Sequence, residues 1–182
     1  MATRRTAQQI IEAVADGAAE LFAERSPSAV SVREIAAAAD VNLGLIHRYV
    51  GSKDDVIALV LTRHTERARA AIASAADTGQ ALDMVAETVV NNPATGRLVA
   101  GLILDGVDVA AVKGEFPMLE LLANDHDPVD AAITYALALG WEVFGPSLLN
   151  AVDASPGDPQ LTNKLAAALK TVSAAPVDSS SA

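Results

Sequence analysis

Apolar residues recur every three or four positions along most of the chain, a spacing typical of amphipathic α-helices. The pattern predicts a first helix over residues 7–24, opened by Thr6, and a long helix from Lys53 to about Ala75. No stretch shows the strict alternation of a strand. The expected fold class is therefore all-α, with an N-terminal three-helix domain and a C-terminal helical domain.

The C-terminal half is predicted to consist of helices separated by polar residues, glycine and proline. Breaks are expected at residues 92–93, near Gly114, at 124–128 and at 155–159. Residues 98–104 are apolar on nearly all sides, which predicts a buried helix. Residues 128–149 form another long apolar segment, with Asp127 as N-cap, and Gly145-Pro146 is expected to bend or break it. A last helix is predicted over residues 161–172.

One stretch between the first two long helices predicts a function as well as a shape. Ser31 with Glu34 three residues later has the spacing of a capping box, so a short helix is expected to begin there. Polar residues 40–42 then predict a turn, and residues 43–50 a second short helix. Two short helices joined in this way are typical of a helix-turn-helix.

The second short helix is expected to present hydrogen-bonding side chains outward. Asn42, Gly44, His47 and Arg48 would face away from the core, and the glycine would let the backbone approach a partner closely. These are the properties of a recognition helix in a DNA major groove. A helix-turn-helix shape also occurs as plain packing, but the combination of cap, turn, glycine and basic positions favours DNA binding.

The run IAAAADVNLGLIHRYVGSKDDVIALVL resembles the DNA-binding signature of the tetracycline-repressor (TetR) family, and the resemblance covers roughly residues 6–65. It implies that Ser31 and Arg33 meet the DNA where the second helix touches it, that Gly44 and His47 enter the groove, and that Tyr49 and Lys53 hold phosphates. Four positions depart from the family pattern: Asp40, where glycine is common, and His47, Tyr49 and Val50. We expect Asp40 to point away from the duplex or to cap a helix, because a carboxylate repels phosphates.

Two arginines precede the first helix in a short arm. Such arms reach the minor groove or phosphates in related motifs, and a solvated tail is the alternative. The complete set of candidate DNA-binding residues is Arg4, Arg5, Ser31, Arg33, Asn42, Leu43, Gly44, His47, Arg48, Tyr49 and Lys53.

Composition and charge agree with such a protein. Residues 1–70 hold nine of the 13 Lys+Arg and nine of the 23 Asp+Glu, so the formal net charge of −10 resides in residues 71–182. The chain has 182 residues, 51% of them hydrophobic, and no cysteine. We expect no signal peptide at the N-terminus and no run of roughly 18 uncharged apolar residues long enough for a membrane span. A cytoplasmic protein without a membrane partner is the expectation.

The TetR resemblance also implies a role for the C-terminal body. It implies a small-molecule pocket and a homodimer interface built from segments 128–149 and 160–173. The expected domain limits are 1–52 for DNA binding, 53–76 for a linking helix, 77–174 for ligand binding and dimerisation, and 175–182 for a disordered tail. Apolar and flexible side chains suit a pocket lining, although the same residue types also form ordinary cores. The candidate ligand-binding residues are Met84, Leu102, Asp105, Phe116, Met118, Tyr135, Trp141 and Phe144, with Asp105 either an orienting polar group or a helix-end residue.

Common enzyme motifs are not found in the sequence. It has no Gly-rich phosphate loop, no HExxH, no GxSxG and no cysteine nucleophile, so we expect neither catalysis nor a cofactor or metal site. The prediction is a ligand-responsive transcriptional regulator, most simply a repressor, that binds a palindromic DNA operator as a homodimer and responds to an apolar small-molecule effector. The rival hypothesis is a helical small-molecule-binding or scaffold protein that binds no operator.

Overall fold

The computed structural model describes residues 5–91, 94–107, 116–125, 127–155 and 158–174. Arg4, the expected break near Gly114 and the expected tail 175–182 lie outside these residues. The described part is all-α and contains no strand, as predicted. Its helices, in chain order, are α1 (Ala7–Glu24), α2 (Val32–Ala38), α3 (Leu43–Tyr49), α4 (Lys53–Ser74), α5 (Thr78–Asn91), α6 (Ala94–Leu104), α7 (Pro117–Asp125), α8 (Pro128–Ala151) and α9 (Leu161–Ser173).

The chain divides into two compact units. Unit 1 comprises residues 1–66 and 94–115, and therefore contains α1, α2, α3, most of α4 and also α6. Helix α1 contacts α2, α3 and α6, so it forms the centre of this unit. Phe22, Ile35, Ile46 and Val56 are almost fully buried in its core. These apolar residues hold the two short helices in place, since helices of seven residues are not stable alone.

Helix α6 packs with the N-terminal helices, although it lies within the predicted segment 77–174. Its apolar side, with Leu98 and Leu102 at 1% and 2% exposure, is buried. The β-carbon of an alanine at Gly101 would lie 3.0 Å from the Pro27 ring, which shows how closely α6 approaches the short 3₁₀ turn Pro27–Ala29. The prediction that 98–104 is buried on all sides is wrong at its end, because Ile103 and Leu104 are exposed where the helix leaves the core.

Unit 2 comprises residues 67–93 and 116–182 and contains the end of α4 with α5, α7, α8 and α9. Helix α5 packs against α9 and α8, and α7 packs against α8. The core of the unit includes Leu82, Met118, Leu122, Leu165 and Leu169. The predicted N-cap of α8 is present, since Asp127 Oδ1 accepts a hydrogen bond of 2.8 Å from Val129 N.

Two predictions about α8 can be compared with the structure. Of the bend or break expected at Gly145-Pro146, the break is absent, because the helix continues through Pro146 to Ala151. A proline inside a helix removes one backbone hydrogen bond. A packed helix of this length tolerates that loss. By length and composition α8 is also apolar enough to cross a membrane, with a mean hydropathy of 1.2 over 18 residues. The expectation that no run of roughly 18 uncharged apolar residues occurs still holds for α8, because Asp130 and Glu142 interrupt it.

Candidate nucleic-acid interface

The start of α2 is fixed by a complete capping box. Glu34 N donates to Ser31 Oγ at 3.3 Å, while the Glu34 carboxylate accepts from Ser31 N at 2.8 Å and from Ser31 Oγ at 2.7 Å. Arg25 adds an ion pair of 2.9 Å to the same carboxylate. The hydrogen bond from the Ser31 backbone, followed by those from its hydroxyl and from Arg25, lowers the pKa of Glu34 to about 2. The cap therefore stays charged at neutral pH. Arg33, the second residue of α2, is exposed.

The end of α2 is a Schellman turn with an aspartate in the left-handed position. Asp40 N donates to Ala37 O at 3.2 Å, Val41 N donates to Ala36 O at 3.0 Å, and Asp40 has φ +50°. Glycine is the usual residue here, and aspartate is one of the few others that adopt this conformation readily. Asp40 thus lies beyond the helix, and its carboxylate is exposed.

Helix α3 begins with Asn42 as its N-cap. Asn42 Oδ1 accepts a hydrogen bond of 2.9 Å from Gly44 N, which leaves the amide NH₂ of Asn42 available to a partner. Leu43 is half-buried, and Gly44 is exposed on the first turn. A β-carbon added at Gly44 would meet only Asn42 Oδ1, at 3.4 Å. Packing within the protein therefore does not require a glycine at this position. It would do so if the glycine lay directly against neighbouring backbone.

The two faces of α3 are clearly separated. Ile46 is fully buried, while His47 and Arg48 are exposed. His47 Nδ1 lies 3.2 Å from the carbonyl oxygen of Gly51. Because a carbonyl can only accept, Nδ1 carries a proton, and in the corresponding neutral tautomer Nε2 is the acceptor. Arg48 stacks over the Tyr49 ring, with the guanidinium carbon 5.3 Å from the ring centroid.

The start of α4 repeats the capping arrangement. Gly51, with φ +123°, turns the chain, and the Asp55 carboxylate accepts from both Ser52 N and Ser52 Oγ at 2.7 Å. These bonds, that of the hydroxyl first, lower the pKa of Asp55. Lys53 Nζ lies 3.4 Å from the carbonyl oxygen of Ser28, so its ammonium group is positioned at the loop before α2.

That loop is held by a residue predicted for a different role. The Asp105 carboxylate accepts from Ser26 Oγ at 2.7 Å, from Ser28 Oγ at 3.1 Å and from Ser28 N at 3.3 Å. The hydrogen bond from Ser26, followed by those from Ser28 and the charge of Lys53, lowers the pKa of Asp105. Asp105 was a candidate ligand group; in the structure it joins the end of α6 to the entrance of α2.

The other candidate ligand residues lie in different places. Leu102 belongs to the core of unit 1, and Met118 to that of unit 2. Phe116 and Tyr135 form an edge-to-face pair with ring centroids 5.6 Å apart. Met84, Tyr135 and Trp141 are half-buried in unit 2, and Trp141 lies against Gly145, whereas Phe144 is 62% exposed. Burial raises the pKa of Tyr135 to about 12, so its hydroxyl is neutral.

A notch of about 250 Å³ lies beside α3. Several candidate DNA-binding residues line it together with Asp40. This grouping could not be predicted from sequence, because it depends on the contact of Arg5 with the turn after α2, which the fold creates. The lining residues are Arg5, Ile10, Asp40, Val41, Asn42, Leu45, Arg48 and Tyr49.

Known proteins share both the motif and most of the chain. Residues 14–60 match the model of the family described as bacterial regulatory proteins, tetR family. The HTH-type transcriptional regulator Mb3439c of Mycobacterium bovis and the HTH-type transcriptional repressor Rv3405c of Mycobacterium tuberculosis are each 33% identical over 162 residues, covering 83% of this chain and 82% of each relative. The chain belongs to the TetR family. It is a DNA-binding transcriptional regulator and not an enzyme.

Solved structures agree with the TetR fold. The crystal structure of the multidrug binding protein EbrR complexed with proflavin has a TM-score of 0.53 and 20% identity, and the match covers 90% of this chain and 99% of that one. The fatty acid degradation regulator FadR from Bacillus halodurans has a TM-score of 0.61 and 16% identity, over 94% of this chain and 97% of that one. At these identities the similarity shows the fold alone.

Proposed function

We propose that this TetR-family regulator reads DNA through the exposed side of α3 and positions it through the starts of α2 and α4. The observation that carries the proposal is Gly44, an exposed glycine at the first turn of α3 whose β-carbon the fold would accept. Such a glycine is explained by close approach of an external partner. His47 presents an acceptor nitrogen, which suits the amino groups of adenine and cytosine in the major groove.

The phosphate contacts are proposed for a second group of residues. Ser31, Arg33 and Lys53 lie at helix starts, where backbone N–H groups and cations favour anions. Tyr49 is the last residue of α3 and lies under the guanidinium of Arg48. Lys53 is already directed to the loop before α2 by its contact with Ser28 O, so its charge is held in one place. Arg48 and Asn42 lie beside Gly44 and His47 and complete the proposed DNA-contacting surface.

We further propose a homodimer formed through α8 and α9. One side of α8 packs in unit 2 through Ala131, Thr134 and Ala138, whereas a stripe of large apolar residues on the same helix is exposed. That stripe consists of Val129, Ile133, Phe144, Leu148 and Val152. Exposed apolar area of this kind is typical of an interface, and symmetric dimers are the commonest soluble assemblies. A dimer supplies the two recognition helices that a palindromic operator requires.

The same stripe does not favour a membrane span. Helix α8 packs one of its sides against protein in unit 2, carries two carboxylates, Asp130 and Glu142, and is joined to a DNA-binding unit. A dimer buries the exposed stripe and does not require these two carboxylates to enter a bilayer. We therefore propose a cytoplasmic protein that has access to the chromosome and no membrane partner.

The effector proposed for unit 2 is an apolar small molecule, without a cofactor. Support comes from Met84, Phe116, Met118, Tyr135 and Trp141, which all lie in this unit and are buried or half-buried. The neutral Tyr135 hydroxyl offers a hydrogen bond in these apolar surroundings. We assign Leu102 and Asp105 to the packing of unit 1, and Phe144 to the dimer surface. By analogy with the relative named a repressor, the effector would release the operator.

The reading and positioning roles can be separated by a matched pair of substitutions. His47→Ala is expected to lose preference among bases, by roughly 1–3 kcal/mol if the ring contacts a base edge. Lys53→Ala is expected to weaken binding to all sequences alike and to reduce the salt slope by about one unit. The measurement is fluorescence anisotropy with a duplex selected by the wild-type protein from a randomised library, and with a scrambled duplex, over a series of salt concentrations.

Two results would contradict this assignment. Equal losses for both variants on both duplexes would show that α3 is not the reading helix. Failure of the wild-type protein to enrich any sequence from the library would contradict specific DNA reading altogether. Circular dichroism of each variant at the assay temperature controls for loss of the fold.

A further inference from the structure

Arg5 makes three hydrogen bonds to the turn between α2 and α3, 34 and 35 residues away in the chain. Its Nη1 donates to Ala39 O at 3.0 Å and to Asp40 O at 2.9 Å, and its Nη2 donates to Asp40 Oδ2 at 3.2 Å. All five N–H groups of arginine lie in one plane, so a single guanidinium can serve several acceptors arranged around a turn. This arginine was predicted to be part of a DNA-contacting arm.

Arg5 binds two carbonyl groups that take no part in the hydrogen bonds that close α2. The Schellman bonds at the end of α2 use the carbonyls of Ala36 and Ala37, whereas those of Ala39 and Asp40 come after the last helical residue. A cation at this end also interacts favourably with the partial negative charge of the helix C-terminus. Arg5 therefore completes the cap of α2 from outside the helix-turn-helix.

Two further Schellman turns among the described residues allow a comparison. Gly106 occupies the left-handed position after α6, with φ +77°, and Asp153 occupies it after α8, with φ +54°. Within the described residues, no ion pair joins Asp153 to another side chain, whereas Asp40 pairs with Arg5. An aspartate can thus adopt the left-handed conformation of such a turn without an ion pair. This indicates that the role of Arg5 is not limited to stabilising the backbone conformation of Asp40.

We propose that Arg5 is a positioning residue of the DNA-reading unit: its bonds to the carbonyl oxygens of Ala39 and Asp40 fix the turn that sets the entry of α3 and keep its guanidinium off the phosphates. The two carbonyl bonds carry the effect. The ion pair alone contributes little, because the Asp40 side chain is 93% exposed and exposed pairs are strongly screened. Asp40, at the position where the TetR pattern commonly has glycine, is on this account compensated by Arg5 and does not repel DNA as a free charge.

Arg5→Ala and Arg5→Lys test this role together. Both should lower the Tm of the DNA-free protein by about 2–4 °C, the shift expected for one net hydrogen bond in a chain of this size. Both should also lower the preference for the library-selected duplex over the scrambled one, by roughly 2–10-fold, with the salt slope unchanged. Lysine should fail to rescue because its three donors radiate from a single nitrogen, whereas Arg5 reaches its acceptors from two nitrogens held in one plane.

The preference ratio distinguishes positioning from mere stability. At a temperature well below the Tm, a small loss of stability leaves the folded fraction, and hence this ratio, unchanged. Asp40→Asn, with Asp153→Asn as its matched control, should leave both the Tm and the salt slope close to wild type, since asparagine also adopts the left-handed conformation. If Arg5→Ala does not fold, Arg5→Lys carries the test.

Other results would overturn the proposal. A salt slope reduced by about 0.9 in Arg5→Ala and restored in Arg5→Lys, with an unchanged Tm, would make Arg5 an ordinary phosphate contact. A steeper dependence of DNA affinity on salt concentration in Asp40→Asn would show that Arg5 moves onto the DNA once its ion pair with Asp40 is removed. The inference rests on the proposed DNA reading, but the Tm readout needs no DNA, so failure of DNA reading and failure of the Arg5 role are distinguishable.

Discussion

Gly44 and Gly17 both belong to unit 1, but the structure gives them different roles. A β-carbon at Gly17 would lie 2.8 Å from Ala39 N and 3.1 Å from the Ala38 carbonyl carbon, so α1 and α2 can approach only with a glycine there. At Gly44 the nearest atom is the side-chain oxygen of Asn42, at 3.4 Å. The first glycine serves the fold, and the second is available to a partner.

This difference predicts opposite results for two identical substitutions. Gly17→Ala should lower the Tm markedly, since the neighbouring atoms are backbone and cannot yield, with overpacking typically costing about 1–3 kcal/mol. Gly44→Ala should leave the Tm unchanged or slightly higher but weaken DNA binding, because the added methyl group separates α3 from the groove. Thermal denaturation and anisotropy on the same preparations check both. Full DNA affinity in Gly44→Ala would remove the main support for the reading surface.

Individual residues were predictable from sequence only where their partners are close in the chain. Asn42 and Gly44 could be placed on α3 by local turn chemistry, and Ser31 could be paired with Glu34 three residues away. Arg5 could not be placed, since its partners lie 34 and 35 residues away and the contact depends on how α1 packs on α2. Asp105 likewise bonds to a loop 77 and 79 residues away, so its position at the end of an apolar helix gave no indication of its contacts.

At the scale of elements, the N-terminal caps determine where the helices of unit 1 begin. Thr6 with Gln9, Ser31 with Glu34 and Ser52 with Asp55 each form reciprocal bonds, and the predicted starts of α1, α2 and α4 are confirmed. Such caps are local and therefore readable from sequence. The course of α8 through Pro146 depends on tertiary packing, which the local pattern does not contain.

The Glu34 cap gives stability a defined dependence on pH. Its pKa in the folded protein is about 2, below the ordinary value of 4.5, so its contribution is fully present above pH 4.5 and is lost as pH falls toward 2. Glu34→Gln should thus lower the Tm at pH 7, and its difference from wild type should shrink between pH 4.5 and 2. The control is Glu20→Gln, which removes an exposed carboxylate from α1. A difference that stays constant down to pH 2 would contradict a charged cap.

On the scale of the whole molecule, the net negative charge lies outside the first 70 residues. Residues 1–70 are balanced in charge, and the net charge of −10 lies in residues 71–182. In the proposed interface, the balanced segment lets Arg33, Arg48 and Lys53 act locally on phosphates, while the acidic remainder disfavours contact with DNA elsewhere. Sequence predicted this division and the all-α class, but not that α6 packs with the N-terminal helices, because an apolar helix does not reveal which core it joins.

The proposed dimer surface can be tested by placing a charge in the exposed stripe of α8. Phe144→Glu should convert the protein to a monomer, since a carboxylate in the centre of an apolar interface is costly to bury. Leu104→Glu is the matched control, because Leu104 is also exposed but lies at the end of α6. Analytical ultracentrifugation at micromolar concentration distinguishes the two variants. A dimer that persists in Phe144→Glu would place the interface elsewhere.

The most direct test of a dimeric DNA reader is the mass of its complex with the library-selected duplex, measured by light scattering. Two chains of 18.7 kDa on one duplex are expected. The half-sites should then lie about 34–36 Å apart or at a multiple of this distance, because both recognition helices must meet major grooves on the same side of the DNA. A complex that contains a single chain, with the selected sequence protected at one half-site only, would contradict the account.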